Sequence, residues 1–412
     1  MRIIFLADHY PPAYLGGGEV STNVLVKALK QSGHEMLVIS TTQNKDQDLQ
    51  YKICDGIDVF FIYSSFNSKL RNLYCLYNLK ILKILNNKFR EYQPDVVHAQ
   101  IISSHISFYS LVLARRYTKA VFFTARDTMP FTYGKYWWYI DQKDFSTKRE
   151  YNYRVKAIDL LKQARKAYLP GRNLLIRHWI NNNCYKIIAV SEEIKKAYLN
   201  NGFKNIEVIY NSVDTAEYDQ VTQEEIAFFK KEKNLTGKKI IFIAGRLSAL
   251  KGLNVILKSL AIIKKNLPEV VLAIAAHHDV GDVDDDLRKN IKYLGWLDQK
   301  QMKIAFRACD LSIIPSIYLD SLPRTIFEAM AAKKPVVATC FGGAKEAVVD
   351  GQTGYVVNPF DFEKMAEKMI EILSDEKRAC QFGEAGYARV KEKFNVKTQV
   401  EKILALYRQY NK

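Results

Sequence analysis

The sequence predicts an α/β protein built from two doubly wound, parallel-sheet domains. Three observations predict it. Short apolar runs of buried-strand type alternate with amphipathic helical stretches. Both halves open on the same order of strand, loop and helix, at RIIFLAD followed by GGGEVS and at KKIIFIAG followed by LNVILKSLAII. A chain of 412 residues also suits two or three domains of roughly 100–200 residues each.

In the first half, RIIFLAD reads as a strand, the Pro/Gly loop after it as a turn, and Val20, Val24, Leu25, Ala28 and Leu29 as the apolar face of a helix. HEMLVIST, DVFFIY, DVVHA, AVFFTA and KIIAVS are further strands. In the second half KKIIFIAG, VVLAIAA, DLSIIPS and PVVAT are strands with helices between them. The boundary is expected near IEVIYNSVD, giving domains 1–205 and 206–396, with a last helix over 397–412 expected to pack back on the first domain. In open sheets of this kind ligands bind at the carboxyl ends of the strands.

Charge divides the halves. Residues 1–205 carry 30 Lys/Arg against 16 Asp/Glu, a net of +14 of the chain's +17, so the first half is the one expected to meet anions. The apolar run Ile3–Ala7 is too short for a signal-peptide core, and no run approaches the roughly 20 apolar residues of a membrane span, so a cytoplasmic location is expected. Six scattered cysteines fit reduced thiols and form no paired metal spacing.

Three motifs carry chemistry. YLGGGEVS (14–21) sits between a strand and a helix; it is not GxGxxG, but Gly16 and Gly17 let backbone N–H groups approach an anion, or simply make a tight turn. AGRLSALKG (244–252) holds Arg246 and Lys251 in the equivalent place of the second half, where a guanidinium and an ammonium suit a diphosphate. SLPRTIFEAM opens a helix with Pro323 at its start, leaving backbone N–H groups near Leu322, Arg324 and Thr325 free for a ligand. Asp320 lies just before that helix and Glu328 a turn inside it, positions the helix dipole favours for acids in any case.

The run DSLPRTIFEAMAAKKPVVATCFGGAKEAVVDGQTGYVV resembles the E-x7-E carboxylate signature of glycosyltransferase family 4, retaining nucleotide-sugar-dependent enzymes of the GT-B fold. The glycine loop, DVVHA, AVSEEIKKAYLNNG, VIYNSVD, AGRLSALKG, ACDLSIIPS and the LALYRQY tail extend the resemblance over nearly the whole chain. It implies two Rossmann-like domains facing across a cleft, the first binding the acceptor and the second a UDP- or GDP-sugar. By the same resemblance Arg246 and Lys251 hold the donor diphosphate, Glu328 the ribose, and Asp320 the sugar hydroxyls. Gly17 with Gly16 approaches the phosphate, and YLGWLD (293–298), with Leu294 and Gly295, meets the base. No metal and no other cofactor is implied, because cations and helix starts stand at the leaving diphosphate.

Departures are visible. Asp320 replaces the usual Glu, Ser321-Leu322-Pro323 replaces a Gly-rich turn, and Arg126-Asp127 stands where the family commonly has His-Asp. Arg126 and Asp127, with His98 at the end of DVVHA, are the acceptor-side candidates; His98 in isolation also suits a structural role. HHDVGDVDDD (277–286) carries metal-ligand residue types, yet reads as a surface loop.

Two further segments stand out. Phe66–Arg90 has six cations, no acid, and Leu70, Leu73, Leu76, Ile81 and Leu85 at helical spacing. Residues 131–183 combine aromatics (Phe131 to Tyr139) with a basic helical run and read as an insertion in the acceptor domain. Together they suggest an anionic membrane surface as partner and a saccharide or lipid-linked acceptor. Nucleic acid is not expected, as no helix-turn-helix or zinc module is present. The expected activity is hexosyl transfer in cell-surface polysaccharide or glycolipid synthesis. The rivals are a sugar phosphorylase or nucleotide-sugar epimerase on the same fold, or a non-catalytic sugar-binding protein.

Overall fold

The computed structural model describes residues 1–12, 16–245, 247–276 and 280–410. The chain forms two units. One comprises Met1–Tyr136, Asn152–Asn211 and Val396–Lys412, the other Trp137–Tyr151 and Ser212–Asn395.

The first unit is built on eight strands: β1 (Arg2–Ala7), β2 (Glu35–Thr42), β3 (Gln50–Cys54), β4 (Ile57–Tyr63), β5 (Val96–Ala99), β6 (Val121–Ala125), β7 (Lys186–Ala189) and β8 (Ile206–Val208). Their order is β3-β4-β2-β1-β5-β6-β7-β8. All neighbours are parallel except the β3–β4 pair, which is antiparallel. β1 is buried from Ile3 onward because strands flank it on both sides and helices cover both faces, so its apolar run is continuous rather than alternating. β3 is the edge, and its residues Gln50 to Ile53 are exposed.

The second unit has six strands, all parallel: β9 (Lys239–Ala244), β10 (Val270–Ala275), β11 (Ile291–Gly295), β12 (Leu311–Ile314), β13 (Val336–Thr339) and β14 (Gly354–Val357). Their order is β11-β10-β9-β12-β13-β14. The order reverses between β1 and β5 in the first sheet and between β9 and β12 in the second. Each reversal opens a crevice at the carboxyl ends of two strands.

Three sequence expectations change. IEV enters the first sheet as β8, so that unit runs to Asn211 rather than 205. The stretch 131–183 is not one insertion in the first domain. Residues 137–151 belong to the second unit, where Tyr151 is buried against Phe341 and the Asn358 amide donates to the carbonyls of Asp144 (2.8 Å) and Ser146 (3.3 Å). The basic stretch 66–90 is not a single helix. A turn of 3-10 helix (Ser68–Leu70) and a short helix (Arg71–Tyr74) precede a break, and the amphipathic helix covers Leu79–Tyr92. The last helix, Val396–Tyr410, packs in the first unit, where Ile403, Leu406 and Tyr407 join the core of β1 and β2.

Candidate active site

The second unit's crevice is made by the loops after β9 and β12. The β9 loop is held by backbone: Ile317 N–H donates to Leu250 O at 2.9 Å. Gly252 is left-handed (φ +82°), and a Cβ there would lie 1.9 Å from Pro315 O, so the two loops touch backbone to backbone. The β12 loop is clamped from its other side. Gly343 N–H donates to Asp320 O at 2.9 Å, and a Cβ on Gly342 (φ +68°) would sit 2.1 Å from that oxygen.

These clamps bring Lys251 and Asp320 together. Lys251 Nζ lies 2.6 Å from Asp320 Oδ2, which also accepts from Ser316 Oγ at 3.1 Å, and the ammonium stands 5.2 Å from the Tyr318 ring centre. Burial opposes charge on both partners, but each is overcome. The carboxylate beside it raises the Lys251 ammonium above the ordinary lysine range, and Lys251 with the hydrogen bonds to Asp320 holds that carboxyl below the ordinary aspartate range. The result is a charged pair at the edge of a recess lined by Gly245, Leu247, Lys251, Pro315, Ser316 and Thr325.

The helix Arg324–Ala331 begins at this edge. Pro323 is its N-cap and no side chain caps it. Leu322 before it is buried. Arg324 Nε pairs with Glu328 Oε1 at 2.9 Å, one turn along, and Nη1 donates to Ser212 O at 3.1 Å. Glu328 is thereby fixed on the helix side facing that loop. Leu294 and Gly295 close β11, two strands away on the same carboxyl edge. Gly295 is left-handed, its carbonyl accepts from Ala276 N–H, and Trp296 after it is 45% exposed. Arg246 lies outside the described residues, as do His277, His278 and Asp279 of the acidic loop.

In the first unit, Gly16 caps the helix Gly17–Gln31 without a side-chain bond, and Gly17 is exposed at its start. A Cβ on Gly18 would meet Ile101 Cδ1 at 2.6 Å and Arg126 Cδ at 3.8 Å, which places Arg126 beside the glycine turn. Arg126 is held there by Gln100 Oε1 (2.8 Å) and Asn211 Oδ1 (2.6 Å). Asp127 accepts from Met129 N–H at 2.9 Å, and burial raises its carboxyl against that bond and the nearby Arg71.

His98 is corrected. It was expected on the acceptor side, but its side chain is fully buried. Nδ1 lies 2.6 Å from Tyr407 Oη and Nε2 lies 2.7 Å from Thr124 Oγ1. Burial and Arg126 push its pKa down to about 3, so it is a neutral core residue joining β5 to the last helix.

Sequence reasoning missed Asp8. Its carboxylate, at the end of β1, accepts from the N–H groups of Ser104 (2.7 Å), His105 (2.9 Å) and Ile106 (2.7 Å). Burial pushes it up to about 6 against those bonds. It fixes the loop carrying His105, whose ring stands among His9 and Phe66. An acid straight after an apolar strand was the available signal. Ser316 and Tyr318 were also missed, since nothing in their types marks them.

Comparison with known proteins bears on the family and the fold. The sequence pattern of "Glycosyltransferase Family 4" matches residues 15–217 and that of "Glycosyl transferases group 1" matches residues 224–389. Spore coat protein SA of Bacillus subtilis (strain 168) is 26% identical over 221 residues, covering 48% of this chain and 57% of that protein. Glycogen synthase of Mycobacterium tuberculosis (strain CDC 1551 / Oshkosh) is 23% identical across 99% of this chain and 94% of its own. The crystal structure of Anabaena Alr3699/HepE in complex with UDP superposes with a TM-score of 0.69 at 20% identity, covering 98% of this chain and 99% of that one, a likeness of fold. The first pattern covers most of the first unit and the second lies within the second unit, and the chain belongs to glycosyltransferase family 4, as a glycosyltransferase of the GT-B fold.

Proposed function

We propose that the chain is a retaining, metal-independent hexosyltransferase that uses a UDP- or GDP-sugar and passes the sugar to a saccharide or lipid-linked acceptor, in cell-surface polysaccharide or glycolipid synthesis. The observation that carries it is the charged Lys251 at the strand-order reversal, next to the uncapped start of the helix Arg324–Ala331. An ammonium and open backbone N–H groups are what a leaving diphosphate requires. Glu328 at the second turn is suited to ribose hydroxyls and Asp320 to the sugar. That Anabaena Alr3699/HepE binds UDP supports the nucleotide class.

In the proposed step the bond between the anomeric carbon and the diphosphate oxygen breaks while an acceptor oxygen attacks the same face. The acceptor proton passes to the departing phosphate oxygen, so configuration is kept. Lys251 takes up the charge that develops on the diphosphate; no protein nucleophile is required. The test is a thermal-shift screen with UDP, GDP and ADP, followed by turnover with the sugars of whichever nucleotide stabilises the protein. Lys251→Ala is expected to lose about 100-fold or more in kcat, the scale for removing one donor to a developing anion, and about 1–3 kcal/mol of stability because it strands the buried Asp320 carboxylate, with the far-UV circular dichroism spectrum unchanged. Undiminished turnover in that variant defeats the diphosphate role. Turnover that needs orthophosphate in place of an acceptor makes the protein a phosphorylase.

A further inference from the structure

The first unit has a second polar pocket, remote from the crevice between β1 and β5. It has a volume of about 330 Å³ and is lined by Arg115, Lys119, Asn182, Asn183, Lys186 and Asn205, with Cys184 and Tyr185 in its wall. Lys119 precedes β6, Lys186 begins β7 and Asn205 precedes β8. The pocket therefore opens at the amino ends of these strands, whereas the glycine turn, Asp8 and Arg126 lie at carboxyl ends.

Its charge is unbalanced. Three cations face it and its lining contains no carboxylate. Among the described residues neither Arg115 nor Lys119 has an ion-pair partner, and Lys186 reaches Glu207 only at 3.9 Å. Cations gathered around one concavity raise its potential together, more than on a convex surface, because the protein wall focuses the field. Three asparagine side chains stand among them. The amides of Asn182 and Asn183 are turned to His178 and to Trp179 O, which fixes their planes. Asn205 adopts a left-handed conformation (φ +55°) at the pocket's rim while its carbonyl takes the Ile187 N–H.

We infer that this pocket is an anion site for a multiply charged phosphate-type oxyanion, separate from the donor and acceptor edges. A guanidinium fork and two ammonium groups match tetrahedral oxygens carrying two or more charges; a single carboxylate leaves most of the positive charge unmet. The size suits a small ligand, a diphosphate or a phosphorylated sugar, or the headgroup of an anionic lipid.

Calorimetric titration of the full chain with pyrophosphate, at low salt, tests this. The wild type is expected to show a binding event at this site that Arg115→Ala/Lys119→Ala/Lys186→Ala loses by at least 30-fold in affinity, while Lys251→Ala retains it. The single Lys119→Ala variant, at an exposed position, is expected to weaken it by a smaller factor and guards against misfolding of the triple variant. A second arm uses phosphatidylcholine vesicles with and without phosphatidic acid. Loss of vesicle binding in the triple variant, with no pyrophosphate event in the wild type, identifies a lipid headgroup as the source. Equal binding by wild type and both variants in both arms overturns the site. Loss of pyrophosphate binding in Lys251→Ala alone assigns the event to the donor edge and overturns it equally.

Discussion

At the scale of single residues, the pair Lys251–Asp320 decides what the site is electrically. Asp320 is one methylene shorter than the glutamate usual in the signature, and at 2.6 Å it is engaged with Lys251 in the structure. In the structure it therefore holds the ammonium in place; contact with a sugar belongs to the proposed function alone. Asp320→Asn keeps the shape and removes the charge. It leaves Lys251 without its counter-ion in a mostly buried setting, so a stability loss of about 1–3 kcal/mol is expected, below the full value for a buried pair because Lys251 is partly exposed. The pH dependence has a definite sign. Asp320 is depressed in the fold, so its contribution is present above the unfolded aspartate value of about 3.9 and is lost as pH falls through the lower folded value. Lys251 is raised, so its contribution is present below about 10.4 and is lost only at higher pH. Between these limits the pair adds a constant term. Denaturant melts at pH 7 and pH 3 check this: the gap between wild type and Asp320→Asn is expected to shrink at pH 3, and an equal gap at both refutes the pair's role.

At the scale of elements, loops rather than strands make the site, and the left-handed Gly252 and Gly342 set their spacing. Gly342 and Gly351 are both left-handed, at φ +68° and +73°, but only Gly342 has backbone against it; nothing lies within 4 Å of a Cβ on Gly351. Gly351→Ala should cost about 1–2 kcal/mol, the strain of the left-handed conformation alone. Gly342→Ala should cost at least twice that and abolish transfer, because Asp320 has to move. Chemical denaturation of the two variants checks it, and equal losses would remove the clamp from the explanation. The strands ending at these loops were legible because parallel strands covered on both faces are continuous apolar runs, as in KIIFIA and VVLAIA. The signature positions were legible because a proline start and two acids leave a spacing in the sequence. The short strands β3, β8 and β11 were not, since exposed or polar residues break their apolar pattern. The burial of His98 was illegible for another reason: its partner Tyr407 is 309 residues away, and a histidine ending a strand reads alike whichever way it faces. Residues 137–151 left the first unit unannounced, because aromatic residues serve either unit equally.

At the scale of the whole molecule, the first half's net charge of +14 meets an apolar surface within the same unit. Leu70, Leu73, Tyr77 and Leu79 are exposed on one segment, Ile158, Leu161, Leu174 and Leu175 on another. The two are adjacent: Asn72 Nδ2 donates to Ala167 O at 2.8 Å and the buried Arg172 reaches Cys75 Sγ at 3.3 Å. Exposed Lys69, Lys80, Lys83, Lys162 and Lys166 border these side chains in sequence. No helix of the described residues is long and apolar enough to cross a membrane; exposed apolar side chains bordered by lysines are the composition that suits a headgroup surface, and vesicle binding tests it. Each lysine near an anionic surface is worth about 1 kcal/mol. Reversing Lys69, Lys80 and Lys162 to Glu is then expected to weaken co-sedimentation with phosphatidylglycerol vesicles by about 100-fold or more. Leu70→Ser/Leu73→Ser should weaken it further at high salt than at low salt, since apolar insertion is what screening leaves behind. Equal binding to phosphatidylglycerol vesicles by wild type and the charge-reversed protein would show that the cations do not steer it, and would return the lipid-linked acceptor to a choice among soluble saccharides.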